Sequence, residues 1–245
     1  MIRKRVLGLT LSLAVLFTLY WGVGGACGWR PDNLQLIRAA RDGDLQEVRH
    51  CLRWGADPNT GSLFGRNEPL GLAAQNGHAT VVQALLQASA RPNVWSGAMH
   101  YKPPLVWAAL GGHSNCVKLL LDAGADTTMT GCEGGTALAE AASLGHLGIA
   151  KLLIAHGASI NDMENGGSEA LVAAVGANRA TLVRLLLARG ANPDTHNENG
   201  TTVAEIARAN SYWAVLRMIR KARAKKAALP GVGTPRGTAP QNSPK

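Results

Sequence analysis

A short apolar pattern recurs along most of this chain at intervals of 32 to 35 residues, and no other feature limits its fold as strongly. Each copy opens with an apolar residue, at Leu36, Leu70, Leu105, Leu138, Leu171 and Val203. A Gly or Asn follows seven residues later, and a small pair such as Gly55-Ala56 follows twelve residues after that. Three markers that keep their phase through five copies exclude a chance match, so the chain is predicted to be a stack of small repeated structural units.

The sequence inside each repeat predicts two helices joined by a tight turn. The first helix carries small Ala residues, as in LAAQNG at 72–77, and the second carries an apolar stripe, as in CVKLLL at 116–121. The turn Gly is expected in the left-handed conformation, which Asn adopts more readily than most residues, so Asn178 and Asn210 are predicted to replace it. One such helix pair cannot bury its own apolar face, so the pairs must stack.

The stretch GGTALAEAASLGHLGIAKLLIAHGASIN at 134–161 resembles the ankyrin repeat nearly throughout, and the resemblance extends over about residues 34–220. It implies an all-α solenoid of six helix-turn-helix repeats with hairpin-like fingers and a concave face. The domain is expected over 34–223, with repeats at about 34–66, 67–101, 102–134, 135–167, 168–199 and 200–223. The family's Thr-Pro-Leu-His opening has lost its His, as in Glu68-Pro69-Leu70-Gly71, so we expect a less stable array than an idealised one.

The N-terminal segment, residues 1–27, has the pattern of a signal peptide or a membrane anchor. Arg3, Lys4 and Arg5 precede a run without charge, whose most apolar part, Val6 to Val23, would span about 27 Å as a helix. It is interpreted as a signal peptide cleaved before Cys27, as a retained anchor, or as a lipoprotein signal with Cys27 as the lipidated residue. These three alternatives place the domain outside the cytoplasm. A buried core helix in a cytosolic protein is the remaining alternative.

Charge is distributed unevenly along the chain. Residues 31–216 hold 13 basic and 16 acidic residues, whereas every charged residue in 1–30 and 217–245 is basic. The repeat region therefore gives no electrostatic basis for nucleic-acid binding, although the overall pI is 9.8. The basic run from Arg217 to Lys226 is interpreted either as a solvated helix end or as a contact for an acidic membrane surface or partner. The composition of residues 228–245 predicts a disordered tail.

Catalytic and metal-binding patterns are missing from the sequence. It contains no H-E-x-x-H, no phosphate-binding G-x-x-x-x-G-K-[ST] and no C-x-x-C, and its seven His residues are spread at roughly one per repeat. Three of them, His78, His113 and His146, follow the turn Gly and are predicted to brace loops by hydrogen bonds. Cys51 and Cys116 lie two repeats apart, too far for a disulfide. We therefore expect no enzyme, no metal and no cofactor.

Eight side chains are predicted to contact a protein partner, because the resemblance to ankyrin repeats places them on the first helices that line the concave groove or on the fingers. They combine an apolar centre with a charged rim, which is typical of interface hot spots. The set is Leu72, Trp95, Tyr101, Trp107, Leu110, Met129, Glu140 and Leu144. Packing of Trp107 into the core, and of Trp95 and Tyr101 against neighbouring fingers, are the structural alternatives.

Taken together, these patterns predict a non-enzymatic protein–protein interaction module. The chain resembles exported, envelope-located bacterial ankyrin repeat proteins. It is expected to be a monomer, in the periplasm or on the outer side of the membrane, associated with the membrane through its N-terminal segment and bound to an unidentified protein partner. The alternative is an immunity or inhibitor protein that blocks an exported enzyme or toxin.

Overall fold

The computed structural model describes residues 31–61, 68–93, 102–131, 134–161 and 170–228. This part of the chain forms twelve helices, which confirms the predicted all-α class. Their bounds are α1 Pro31–Asp42, α2 Leu45–Arg53, α3 Pro69–Gln75, α4 Ala79–Gln87, α5 Pro104–Leu110, α6 Ser114–Asp122, α7 Ala137–Leu144, α8 Leu147–Ala155, α9 Ala170–Gly176, α10 Ala180–Ala188, α11 Val203–Ala209 and α12 Trp213–Ala227. The chain divides into an N-terminal unit, Met1–Cys132, and a C-terminal unit, Glu133–Lys245, each with three helix pairs.

Helix pairs stack inside each unit in the same manner. In the N-terminal unit α1 packs on α3 and α3 on α5, while α2 packs on α4 and α4 on α6. The C-terminal unit repeats this arrangement with α7, α9 and α11 and with α8, α10 and α12. Ala73 and Ala108 are fully buried in first helices, where small side chains allow close approach, and Leu85 and Leu120 are fully buried in second helices. Burial of one such Leu stabilises the fold by about 1.5–3 kcal/mol.

Left-handed backbone occurs at the first turn of all six repeats and at the second turn of the first five. The first turn contains Gly43, Gly77, Gly112 and Gly145, with φ between 75° and 91°. Asn178 replaces this Gly with a φ of 55°, which confirms its predicted role. The prediction for Asn210 is wrong, because its φ is −92° and the left-handed residue is Ser211, with a φ of 60°.

This difference of one residue arises at the start of α11. Thr202 caps α11 as Thr136 caps α7, each accepting a hydrogen bond from the backbone N–H three residues later. The residue equivalent to Leu138 is therefore Ala204, not Val203. The apolar pattern placed the sixth repeat one residue too early because Val203 is more apolar than Ala204. The N-cap residue, Thr202, sets the correct register.

The finger between α10 and α11 is a short hairpin. His196 and Thr202 form an antiparallel bridge, and the backbone N–H of Asn197 donates to the carbonyl oxygen of Thr201 at 2.9 Å. Gly200 closes the turn with a φ of 75°, a conformation that Gly adopts without strain. At this finger the hairpin-like form implied by the resemblance is confirmed.

Helix α12 is longer than the other second helices and carries most of the basic run. It has 15 residues where α4 has nine. Near its end, Arg223 Nε lies 2.8 Å from Asp194 Oδ1 and Lys226 Nζ lies 3.0 Å from Asp194 Oδ2. Lys226 also donates to the Oδ1 atom of Asn192 at 2.9 Å. Two cations of the run are therefore engaged within the protein, where they tie α12 to the loop after α10.

Several predicted features lie outside the described residues. They are the segment 1–27 with Cys27, the finger residues Trp95 and Tyr101, and positions 229–245 of the predicted tail. None of the described helices combines the length and the apolar character that crossing a bilayer requires.

Candidate functional site

Two neighbouring first helices of the N-terminal unit hold the apolar centre of the predicted binding surface. Leu72 on α3 and Trp107 on α5 occupy equivalent positions of adjacent repeats, and α3 packs directly on α5. Both side chains are half-buried, whereas Leu70 and Leu105, two residues earlier, are buried. Leu72 and Trp107 therefore lie at the boundary between core and solvent. Trp107 is thus neither fully buried in the core nor fully exposed.

A polar edge borders this apolar pair. Arg38 holds the equivalent position on α1 and is exposed, and Leu110, half-buried, ends α5 in register with Arg41 and Gln75. Arg41 forms an ion pair with Asp42 at 3.0 Å. An apolar patch beside charged groups that remain hydrated is the composition expected of a protein interface.

Histidine side chains brace the turns that follow α1 and α3. His78 donates from Nε2 to the carbonyl oxygen of Arg41 at 3.0 Å, and His113 donates from Nε2 to that of Gln75 at 3.1 Å. Each ring fills the space beside the preceding turn Gly, since a Cβ on Gly43 would lie 2.6 Å from the ring of His78. The predicted bracing role is confirmed for both residues, and for His146 it stays a prediction.

In the C-terminal unit the same bracing position is taken by an arginine. Arg179 donates from Nε to the carbonyl oxygen of Ser143 at 3.0 Å. A guanidinium therefore replaces the imidazole, because what the site requires is a planar donor that can reach the preceding turn. The exposed end of this braced turn is Leu144, with 42% of its surface exposed.

Two further predicted residues, Glu140 and Leu144, lie on α7, one turn apart. Glu140 is half-buried, and its carboxylate lies against the finger, because a Cβ on Gly135 would stand 2.9 Å from Glu140 Oε1. Met129, in the N-terminal unit, is half-buried in the loop after α6. The structure thus brings Leu72, Trp107 and Leu110 together in one unit and places Glu140 and Leu144 in the other.

Sequence analysis missed a set of Asn side chains that join successive fingers. Asn93 accepts from the backbone N–H of Asp126 at 2.8 Å and donates to the carbonyl oxygen of Gly124 at 3.0 Å. Asn59 and Asn161 bridge to their following repeats in the same way. The signal was present in GADPN, SARPN and GASIN, each of which ends in Asn four residues after its left-handed turn residue. These bridges join the fingers of successive repeats.

Reactive groups in the described part of the chain are buried or dispersed. Cys51 and Cys116 are buried thiols, and burial raises the pKa of Cys116 to about 11, so it remains protonated and unreactive at neutral pH. Across the same residues, no group of three or more His, Cys, Asp and Glu side chains is arranged to bind a metal ion.

Comparison with known proteins agrees with this geometry. A family model described as ankyrin repeats in three copies matches residues 36–131 and 96–164, and one described as ankyrin repeats in many copies matches 153–207. A crystal structure of an ankyrin repeat domain from Acinetobacter baumannii is similar with a TM-score of 0.69 at 29% identity, covering 77% of this chain and 97% of that one. The human ASB11 ankyrin repeat domain is similar with a TM-score of 0.66 at 26% identity, covering 76% and 82%.

Curated relatives match over a shorter stretch. The probable E3 ubiquitin-protein ligase XBOS32 of Oryza sativa subsp. japonica is 41% identical over 73 residues, which is 29% of this chain and 15% of that protein. The E3 ubiquitin-protein ligase XBAT32 of Arabidopsis thaliana is 37% identical over 73 residues, or 29% of this chain and 14% of that protein. The chain thus matches only about one seventh of the length of these relatives. Because the family models together cover residues 36–207 and the stacked helix pairs have the same architecture, the chain belongs to the ankyrin repeat family.

Proposed function

We propose that this protein is a non-enzymatic recognition module that binds a protein partner through the first-helix surface of its N-terminal unit. The observation that carries the proposal is the pair Leu72 and Trp107, half-buried side by side on α3 and α5. Ankyrin repeats serve as protein–protein interaction modules, and large apolar side chains dominate the binding energy of such surfaces. The hydrogen-bonded turns hold Leu72 and Trp107 in position in the unbound protein, which reduces the entropy lost on binding.

A pair of single variants with a matched control tests this surface. Trp107→Ala and Leu72→Asp are expected to abolish capture of the partner from envelope extract. The control is Trp54→Ala, which removes an equally large side chain, 68% exposed, just after α2. The control should capture the same partner as wild type. Equal capture by all three variants, each with a wild-type melting temperature, would contradict the proposal.

We also propose that the domain is exported and tethered to the cell envelope. The support is the sequence pattern of Arg3, Lys4 and Arg5 before an uncharged apolar segment, which orients a segment with its basic end in the cytoplasm. A reporter that is active only outside the cytoplasm, fused after residue 60, is expected to be active. Activity of a cytosol-only reporter at the same junction would contradict export.

Ligase activity is not part of the proposal. The E3 ubiquitin-protein ligases named above share 73 residues with this chain, and those residues amount to at most 15% of either protein's length. Similarity confined to so small a share supports a common repeat module and not a common reaction.

A further inference from the structure

Helix α12 has one buried face and one basic face. Val215, Leu216 and Ile219 are buried where α12 packs on α10 and α11. The opposite face is exposed and carries residues spaced by about one or two helical turns, so that they form a single stripe. The stripe, which we call the outer stripe, consists of Trp213, Arg217, Arg220, Lys221 and Lys225.

The cations of the outer stripe differ from the other basic residues of α12. Arg223 and Lys226 are held by Asp194, as described above. Within the described part of the chain, the four stripe cations form no ion pair and no hydrogen bond. The nearby carboxylate of Glu205 is also engaged, since it accepts hydrogen bonds from Thr202. No carboxylate in the described ranges therefore pairs with the positive charge of the stripe.

We propose that the outer stripe docks onto the surface of an anionic phospholipid bilayer. The four cations extend about 12 Å along one helix face, where headgroup phosphates can meet them in many registers. Trp213, with 61% of its surface exposed, lies one turn before Arg217. An indole beside cations is the pairing that favours the membrane–water interface, where the ring enters the headgroup layer.

A bilayer explains this combination better than an acidic polypeptide. The stripe lies along one helix, and on it a large apolar ring accompanies unpaired cations, whereas recognition of an acidic peptide alone would not require the exposed indole. Tethering through the segment Val6–Val23 would also hold α12 near a membrane and raise the effective concentration of the headgroups. That last point rests on the anchoring proposed above, while the charge and exposure of α12 do not.

The test uses the full chain and phosphatidylcholine vesicles with or without phosphatidylglycerol. The quantity measured is the ratio of the two partition coefficients in the variant relative to that in wild type, a comparison in which the contribution of the N-terminal segment, with Arg3, Lys4 and Arg5, is the same on both sides. The quadruple variant Arg217→Gln, Arg220→Gln, Lys221→Gln, Lys225→Gln is expected to lower this ratio at least about tenfold, because each cation near an anionic surface strengthens binding roughly fivefold. If the N-terminal segment does not anchor the chain, both coefficients are lower, but the difference in ratio between the variant and wild type remains.

A second quadruple variant separates the stripe from net charge. Lys118→Gln, Lys151→Gln, Arg184→Gln and Arg189→Gln remove the same charge from exposed positions on or next to α6, α8 and α10. This control should keep the wild-type ratio. An equal loss in the control would assign the effect to diffuse charge and overturn the proposal. Retention of the ratio by the stripe variant, or tighter binding of soluble polyglutamate than of anionic vesicles, would overturn it as well.

Tryptophan fluorescence gives a readout that does not depend on the charge variants. Brominated lipids quench an indole only when it enters the bilayer surface. Quenching by anionic vesicles is expected to fall in Trp213→Phe and to remain in Trp54→Phe, which alters an exposed Trp of the N-terminal unit. Unchanged quenching in Trp213→Phe would contradict the docking orientation.

Discussion

His113 donates a hydrogen bond from Nε2 to the carbonyl oxygen of Gln75 at 3.1 Å, and its ring fills the space beside the turn Gly of the preceding repeat. The imidazole thereby acts as a spacer between two repeats, because it satisfies a carbonyl at the end of α3 while it packs on the turn. The position tolerates no side chain on that Gly. Gln75 ends α3, the helix that also carries Leu72 of the predicted binding surface.

Gly77→Ala is expected to destabilise the N-terminal unit strongly. Gly77 has a φ of 76°, and an added Cβ would lie 2.5 Å from the ring of His113. The control Gly124→Ala has a φ of 80° but meets no atom within 4 Å, so it reports the backbone cost alone, about 1–2 kcal/mol. Chemical unfolding should show a larger loss for Gly77→Ala by about 1 kcal/mol or more. Equal losses would show that the ring moves aside without cost.

Asp194→Asn is expected to destabilise the C-terminal unit slightly, since it removes the anchor of Arg223 and Lys226. The three side chains are between 36% and 49% exposed, so solvent screens the ion pairs and the loss should be about 0.5–1 kcal/mol. Added salt should reduce the difference between variant and wild type in chemical unfolding. Arg217→Gln, at an exposed position of the same helix, is the control and should leave the unfolding free energy unchanged.

Thr202→Ala is expected to cost about 1 kcal/mol, because it removes the side-chain cap of α11. Hydrogen bonds from the backbone and the hydroxyl of Thr202 lower the pKa of Glu205 below its ordinary value of 4.5. A carboxylate with a lowered folded-state pKa contributes stability above its ordinary value and loses it as pH falls through the lowered one. Unfolding of wild type measured from neutral to acid pH should show this loss.

The matched comparison for that pH dependence is Thr136→Ala. Thr136 caps α7 by the same bond, but the third residue of that helix is Ala139, which has no titratable group. Thr202→Ala should lose more stability than Thr136→Ala at neutral pH, and the difference should shrink as pH falls, because the hydroxyl of Thr202 donates to the ionised Glu205 carboxylate. The backbone N–H of residue 202 still donates to Glu205 in Thr202→Ala, so the decisive variant is Glu205→Gln, and an unchanged acid profile in Glu205→Gln would contradict the capping role of Glu205.

Cys116 is expected to resist alkylation in the folded protein. Burial raises the pKa of this thiol to about 11, so little reactive thiolate exists at mildly alkaline pH and the sulfur is shielded from reagent. Peptide mapping after brief iodoacetamide treatment should find Cys116 modified only once denaturant unfolds the chain. Rapid modification under native conditions would show that α6 opens readily.

Much of the candidate site could be predicted from local sequence. The Gly-His pairs predict the braced turns, because Gly adopts the left-handed conformation and the next residue, His, supplies a planar donor that reaches the preceding repeat. The positions of Leu72 and Trp107 follow from their spacing after Leu70 and Leu105. Whether Trp107 belongs to core or surface did not follow, since the burial of a side chain at the edge of a helix depends on its neighbour's packing. In the structure, the side chain of Trp107 is half-buried.

Sequence by itself determined the repeat, the helix pairs and the left-handed turns, because each depends on residues close together in the chain. Tertiary structure alone decided which cations of α12 remain available. Arg223 and Arg217 are alike in the sequence, yet Arg223 meets Asp194, about thirty residues away, while Arg217 faces solvent. The two residues differ because they lie on different sides of α12 relative to the face that packs on α10 and α11. Only the stacked fold defines that face. The same holds for Asn93, whose bond to the next repeat exists only once two fingers lie side by side.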